Sequence, residues 1–142
     1  MTSLQIAKNA LFKNGYTCVI FSGKTKIYSS YEHGVKPLLD FAMRRQKVKN
    51  LVLADRIIGS GAAFLAVSAG ITAVYTPVVS KKARAILKKY YIALEYQTAV
   101  PYIINRDGTG CCPIEQRLAG IDDVSSAVKT IVRGIAELDP NQ

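Results

Sequence analysis

Along the chain, hydrophobic positions recur either with the helical period of 3.6 residues or with the strand period of two. The places where one period gives way to the other predict the bounds of helices and strands. Apolar residues three and four positions apart predict helices, whereas apolar or alternating runs predict strands. The predicted helices cover residues 3–13, 34–46, 56–70, 81–90 and 124–138, with one or two further turns at 113–119. The predicted strands cover residues 16–21, 26–30, 50–55, 71–79 and 92–97. A hairpin followed by strands that alternate with helices predicts a three-layer α/β/α domain with a mixed sheet.

Residues at several predicted helix ends suit those positions. Pro37 is placed for a first helical turn, because its missing N–H costs nothing there. Ser80 is a predicted N-cap, and either Asp122 or Asp123 caps the last helix.

The uncharged stretch from Ile57 to Ser80 is long enough to span a membrane. Glycine, serine, threonine and proline residues interrupt it, and Gly70 divides it into a helix of small residues and a following strand. We therefore favour a buried helix–strand pair over a membrane helix.

Composition describes one globular domain that spans residues 1–142. Hydrophobic residues make up 49% and charged residues 20%, which are proportions of a folded chain. Three cysteines form an odd number that argues against a disulfide framework, and the first residues show no signal peptide. We expect a cytoplasmic protein with no membrane partner.

The net charge of +9 favours an anionic partner. Two basic clusters predict a nucleic-acid surface, with a solvated, solubilising face as the alternative. Their cationic residues are Arg44, Arg45, Lys47, Lys49, Lys81, Lys82, Lys88 and Lys89.

Several familiar motifs are incomplete. A structural zinc site needs four converging ligands, but Cys111 and Cys112 are neighbours and His33 is the one histidine, so we predict no metal site and no cofactor. "SGKT" at 22–25 resembles the end of a P-loop, but Cys18 stands at the first glycine position and a hairpin follows.

The end of the predicted strand 50–55 is a candidate ligand site. Asp55 ends this strand, and Gly59, Ser60 and Gly61 open the next helix. Ligands of open α/β sheets gather at the carboxyl ends of strands, where glycines let backbone N–H groups approach an anion. Asp55 would then orient a ribose hydroxyl or polarise a reacting group. The alternative is that Asp55 only caps the helix and the glycines only permit close packing.

The segment "NRDGTGCCPIE" at 105–115 is a second candidate. Gly108 and Gly110 permit positive φ, and Pro113 begins a short helix with Cys112 at its N-cap and Glu115 at N3, the spacing of a capping box. A cysteine at a helix N-terminus is a candidate nucleophile. A ligand-binding loop, a structural turn and a covalent nucleophile all remain open, as does a general-base role for His33.

Three motifs carry a resemblance to a known family: "GVKPLL" at 34–39, "ADRIIGSGAA" at 54–63 and "VPYIINRDGTGCCPIE" at 100–115. Together they resemble a family of small, uncharacterised bacterial and archaeal proteins, from the first helix to the last. The resemblance implies a cytidine-deaminase-like fold and no assigned activity. The family pattern at the second motif resembles Asp-Lys-x-x-Gly-Lys-Ala-Ala, which Asp55 and Gly59 match. Arg56, Ser60 and Gly61 stand where Lys, Lys and Ala would be expected, and if the second lysine binds phosphate in the family, Ser60 cannot make that contact.

The resemblance does not imply deaminase chemistry. Zinc deaminases need H-x-E and P-C-x-x-C, whereas this chain has H-G-V at 33–35 and no C-x-x-C. In the third motif, Thr109, Cys112, Pro113 and Glu115 match the family pattern.

We expect a pocket that binds a nucleotide or an ADP-ribose-like phosphate ligand. A basic nucleic-acid-binding module and an enzyme that depends on Cys112 are the alternatives. Exposed tyrosines leave a homo-oligomer open. The candidate catalytic residues are Asp55 and Cys112, and the candidate ligand-binding residues are Lys36, Gly59, Ser60, Gly61, Asn105, Arg106, Thr109, Gly110 and Glu115.

Overall fold

The computed structural model of the chain describes residues 1–104 and 108–138. Helices and strands alternate along most of this range. In chain order they are α1 (Ser3–Lys13), β1 (Cys18–Ser22), β2 (Thr25–Ser30), α2 (Lys36–Arg44), β3 (Leu51–Asp55), β4 (Ile57–Ile58), α3 (Ser60–Ala69), β5 (Ile71–Ser80), α4 (Lys81–Lys89), β6 (Ala93–Val100), α5 (Pro113–Arg117) and α6 (Val124–Leu138).

The strands form one mixed, six-stranded sheet. Strand β1 is antiparallel to both of its neighbours, β2 and β3. The long strand β5 is parallel to β3, β4 and β6. Because β6 pairs along one edge of β5 from Ala73 to Ser80, β3 and β4 must follow each other along the opposite edge. The carboxyl ends of β3, β5 and β6 therefore point toward the same end of the sheet.

Helices cover both faces of the sheet, but unequally. Helix α1 packs on β1, β3 and β5, whereas α2, α3 and α4 pack on the other face and α6 packs on α3. Side chains alternate accordingly along β1, since Cys18 and Ile20 join the larger core and Val19 and Phe21 join the core under α1. The predicted mixed α/β architecture with flanking helices is confirmed.

Local signals account for most element ends. The Ser80 hydroxyl accepts a hydrogen bond from the Ala83 N–H at 3.2 Å and caps α4. Asp123, one of two predicted caps, accepts the Ser126 N–H at 2.8 Å before α6. Gly70 ends α3 with a φ of 78°, a left-handed conformation that glycine adopts without strain.

Helices α2 and α3 differ most from their predicted bounds. Helix α3 begins at Ser60 rather than near Arg56, because Ile57 and Ile58 continue the sheet as β4. Helix α2 ends at Arg44, since Arg45 has a φ of 51° and leaves the helix. The uncharged stretch forms β4, α3 and β5, and in the described part of the chain no helix is long and apolar enough to cross a membrane.

Candidate functional site

The N-termini of α2 and α3 meet at the carboxyl end of β3. A Cβ on Gly61, in the first turn of α3, would lie 3.5 Å from Cγ1 of Val35, the N-cap residue of α2. Leu51 and Leu53 of β3 belong to the core on this side, so Asp55, two residues further on, points the same way. Asp55 also pairs in register with Cys18 of β1. A carboxyl, a thiol and two helix N-termini therefore share one region.

Asp55 is a buried carboxyl without a cationic partner among the described residues. Burial raises its pKa to about 7, although backbone N–H groups of Ile57 and Arg56 act in the opposite direction. The Ile57 N–H donates to Oδ1 of Asp55 at 3.4 Å. The N-cap of α3 is Gly59, so the alternative in which Asp55 caps this helix is wrong.

The neighbouring cation, Arg56, is turned to the other face of the sheet. Its guanidinium donates to the backbone oxygen of Leu11, within α1, at 3.1 Å and to that of Tyr16, just after α1, at 2.8 Å. It also lies over the ring of Phe12, with 5.6 Å between Cζ and the ring centroid. Arg56 thus leaves the charge of Asp55 uncompensated.

Glu115 holds the N-terminus of α3. Its buried Oε2 accepts hydrogen bonds from the Ser60 N–H at 2.7 Å and from the Ser80 hydroxyl at 2.9 Å. Its Oε1 accepts the Ile103 N–H at 2.7 Å. Because Ser80 also caps α4, one carboxylate stands at the positive ends of two helices, where negative charge is favoured.

The capping box expected between Cys112 and Glu115 does not form. Cys112 is the N-cap of α5, but its side chain makes no capping hydrogen bond. Its own N–H donates to the Ile103 oxygen at 2.7 Å. Glu115 instead reaches residues far away in sequence, because three donors converge on it there and the N-cap of α5 offers one at most.

The glycines of the α3 turn make room for other parts of the chain. A Cβ on Gly59 would lie 2.8 Å from Oε2 of Glu115 and 2.9 Å from Cγ1 of Ile103. A Cβ on Gly61 would lie 3.0 Å from Cγ2 of Ile114. The Oγ of Ser60 is buried and has no hydrogen-bond partner within the described part of the chain. Of the predicted site residues, Gly59, Ser60 and Glu115 are therefore in direct contact.

Backbone pairing joins the two ends of the loop before α5. Ile104 and Cys111 form an isolated antiparallel bridge, and Gln116 Nε2 donates to the Cys111 oxygen at 3.2 Å. Gly108 has the predicted positive φ, at 71°, whereas Gly110 does not. Thr109 and Gly110 lie in this loop, and Asn105 and Arg106 lie outside the described residues.

The cysteines differ in their surroundings. Cys18 is buried, and burial together with nearby Asp55 raises its thiol pKa well above the ordinary value. Burial also raises the pKa of the Cys111 thiol, with Glu115 and Cys112 contributing. Cys112 is half-buried at the N-terminus of a helix of only five residues.

Lys36 is exposed at the first position of α2, next to Val35 and hence at the meeting of the two helix N-termini. His33 is exposed three residues earlier. Some cations of the predicted nucleic-acid surface already have partners within the protein. The ammonium of Lys82 donates to the backbone oxygen of Leu118. Arg44 lies over the Tyr28 ring, 5.0 Å from its centroid.

Sequence reasoning missed two partners of this site. Ser80 was predicted only as a helix cap, and the opposition of Cys18 and Asp55 was not predicted. Ser80 lies 35 residues from Glu115, so no local pattern joins them. The turn residues between β1 and β2 predict the hairpin, but they do not predict the register in which β1 pairs with β3.

Comparison with known proteins identifies the family. The sequence profile described as "Domain of unknown function (DUF1893)" matches residues 6–134. This chain belongs to the DUF1893 family. Its structure is similar to the crystal structure of a DUF1893 family protein from Thermotoga maritima, with 22% sequence identity and a TM-score of 0.82. The match covers 92% of this chain and 88% of that one, and it shows a shared fold. No curated protein matches the chain.

Proposed function

We propose that this DUF1893 chain binds a nucleotide or an ADP-ribose-like ligand at the carboxyl end of β3. The observation that carries the proposal is Asp55, a buried carboxyl with no cationic partner in the described ranges. Burying an unpaired ionisable group is costly, and such groups cluster at functional sites. Asp55 also stands at the side of an α/β sheet where ligands usually bind.

The ligand's polar groups have separate partners in this proposal. Asp55 accepts a hydrogen bond from a ribose hydroxyl. The phosphates lie near Lys36 and the N-terminus of α2, whose N-cap makes no side-chain hydrogen bond. The Ser60 N–H is already bonded to the Glu115 carboxylate, and a phosphate beside that carboxylate would be repelled. The phosphate therefore avoids the α3 turn, where the sequence had suggested it.

We also propose that the fold is cytidine-deaminase-like. The strand arrangement supports this, because β1 is antiparallel within a sheet whose other strands share one direction. The zinc motifs of deaminases are not present, because His33 is followed by Gly34 and Val35 instead of completing H-x-E, and the sequence contains no C-x-x-C. The proposed activity is therefore binding without zinc-dependent deamination.

The test is titration of the protein with AMP, ADP and ADP-ribose. At about 100 times its Kd, a ligand raises the free energy of unfolding by about 2.7 kcal/mol, which calorimetry or thermal denaturation detects. Asp55→Asn should abolish this gain, whereas Asp122→Asn, at an exposed carboxyl, should retain it. If all three ligands leave both the melting temperature and the amide NMR spectrum unchanged, nucleotide binding is rejected.

A nucleic-acid surface on α4 is the second candidate. Lys81, Arg84 and Lys88 are exposed at helical spacing, and the helix contains no acidic residue. Binding through such a surface depends steeply on salt, because each neutralised phosphate releases counterions. Fluorescence anisotropy with a labelled single-stranded oligonucleotide measures the slope. The slope is that of the logarithm of the binding constant against the logarithm of the salt concentration. Replacing Lys81 and Lys88 by glutamine should reduce its magnitude by about two, and an unchanged slope would exclude this face.

A further inference from the structure

A groove of about 1000 Å³ opens at the far end of α3 from the proposed nucleotide site. It lies where α2 and α3 end, and α6 forms its other wall. Helix α3 has ten residues and is therefore about 15 Å long, which separates the groove from the α3 N-terminus by that distance. The groove is thus a different surface from the proposed nucleotide site.

The groove is mostly apolar, and part of its apolar surface is in contact with solvent. Buried Phe41 and Ala42 form its floor. Met43, Val48 and Val132 line it and remain 52%, 37% and 42% exposed. Side chains of this type in a continuous concave surface indicate an interaction site rather than ordinary surface.

The charged residues of the groove are all cationic. Arg45 lines it from the end of α2, and Lys129 and Arg133 line it from α6. Among the described residues, no carboxylate lines the groove and none of these three cations forms an ion pair. An occupant must therefore combine apolar side chains with negative charge.

We propose that this groove binds an acidic amphipathic helix of a protein partner. A helix laid in a groove inserts apolar side chains at positions i, i+3 or i+4, and i+7, which matches an apolar floor between helical walls. Acidic residues on the flanks of such a helix would pair with Arg45 on one side and with Lys129 and Arg133 on the other. Charge complementarity of this kind selects the partner and speeds its association.

The same observations disfavour a nucleic acid in the groove. Single-stranded nucleic acids stack their bases on exposed aromatic rings. The aromatic residue here is Phe41, which is only 2% exposed. The exposed side chains, Met43, Val48 and Val132, are aliphatic or thioether groups that offer no stacking surface.

The test begins with a selection that assumes no known partner. A phage library displays helical peptides of about 16 residues, roughly 24 Å long, and is selected on the folded full-length protein. We expect the recovered peptides to be acidic and to share apolar residues at i, i+3 or i+4, and i+7. Their Kd values are then measured by fluorescence anisotropy against the wild-type protein and its variants.

Two charge-reversal variants make a matched pair. Lys129→Glu with Arg133→Glu changes the groove, and Lys88→Glu with Lys89→Glu makes the same net change on exposed positions of α4. The groove variant should weaken binding at least tenfold, equivalent to about 1.4 kcal/mol, whereas the α4 variant should weaken it less than about twofold at physiological salt. Val132→Glu, at another exposed groove position, should behave like the groove charge variant.

Three outcomes would overturn the proposal. Recovery of no acidic amphipathic peptide would show that the groove does not select this chemistry. Equal weakening by both charge variants would show general attraction to a basic protein rather than a site. Oligonucleotide binding that is lost in the groove variant and retained in the α4 variant would assign the surface to nucleic acid. Circular dichroism of each variant establishes that it is folded before binding is measured.

Discussion

Replacing Asp55 by asparagine should stabilise the protein at alkaline pH. The folded-state pKa of Asp55 is raised from 3.8 to about 7 by burial, so the folded protein holds this proton over a range in which the unfolded chain has released it. A raised pKa gives stability that is complete below the unfolded value and is lost as pH rises through the folded value. The wild-type protein should therefore lose stability between pH 4 and 7 and lose no more from this group above that range.

The magnitude follows from the size of the shift. One pKa unit corresponds to about 1.4 kcal/mol, so a shift of about three units amounts to roughly 4 kcal/mol above pH 7. Asparagine carries no charge at any pH and avoids this loss. The hydrogen bonds that the Asp55 carboxylate accepts from backbone N–H groups are already included in its raised pKa and need no separate correction. We expect Asp55→Asn to exceed the wild type by about 4 kcal/mol at pH 8 and to differ little from it at pH 4.

Urea denaturation followed by circular dichroism at several pH values measures both proteins. Asp122→Asn, at an exposed position, is the control and should shift the free energy of unfolding by less than about 0.5 kcal/mol. Parallel pH profiles for the wild type and Asp55→Asn would refute the reasoning, because they would mean that Asp55 holds no extra proton when folded. A variant that is more stable and no longer binds nucleotides would place Asp55 among residues kept for function at a cost in stability.

Three further changes probe the contacts around Glu115 and the core. Glu115→Gln should lower the free energy of unfolding by about 3 kcal/mol in chemical denaturation, because a buried carboxylate accepts three hydrogen bonds; a loss below about 1 kcal/mol would contradict this. Gly59→Ala should cost about 1–3 kcal/mol because its Cβ meets side-chain atoms under 3 Å, whereas Gly110→Ala, with nothing within 4 Å, should be nearly neutral; similar melting temperatures would argue against the close contact. Cys18 should resist iodoacetamide until the protein unfolds, since it is buried with a raised pKa, and mass spectrometry of native labelling would reveal any exception.

The fold was largely predictable because its elements depend on local periodicity and on residues at their ends. Three helix ends occur where their local residues predict them. Ser80 caps the start of α4, Pro37 lies in the first turn of α2, and Gly70 ends α3. Strand β4 was missed because it consists of only two residues, Ile57 and Ile58, which are too few to show either the helical or the strand period. Their strand conformation follows from pairing with β5, which only the assembled sheet provides.

The place of Asp55 at the end of a buried strand was predictable, whereas the contacts around the α3 turn were less so. The sequence singles out Asp55 because the end of a buried strand before a glycine-rich turn is a general ligand position, and its role in binding stays a prediction. The role of Glu115 was not found, since its spacing from Cys112 satisfies a local capping rule that the folded chain does not use. Its partner Ser60 is 55 residues away. The capping rule fails here because Glu115 accepts three hydrogen bonds from other parts of the chain, more than the N-cap of its own helix could donate.

The hydrogen bonds of Glu115 also set an order of events during synthesis. Helix α3 emerges from the ribosome early, but its N-cap, Gly59, provides no side-chain hydrogen bond. The acceptor for the Ser60 N–H arrives only when residue 115 has been made, after β5, α4 and β6. Until then the Ser60 N–H lacks the carboxylate to which it donates in the folded protein, and Gly61 lacks its neighbour Ile114. About the last fifth of the polypeptide, from α5 onwards, thus completes the N-terminus of α3, and a chaperone that holds the nascent chain until that point would protect it.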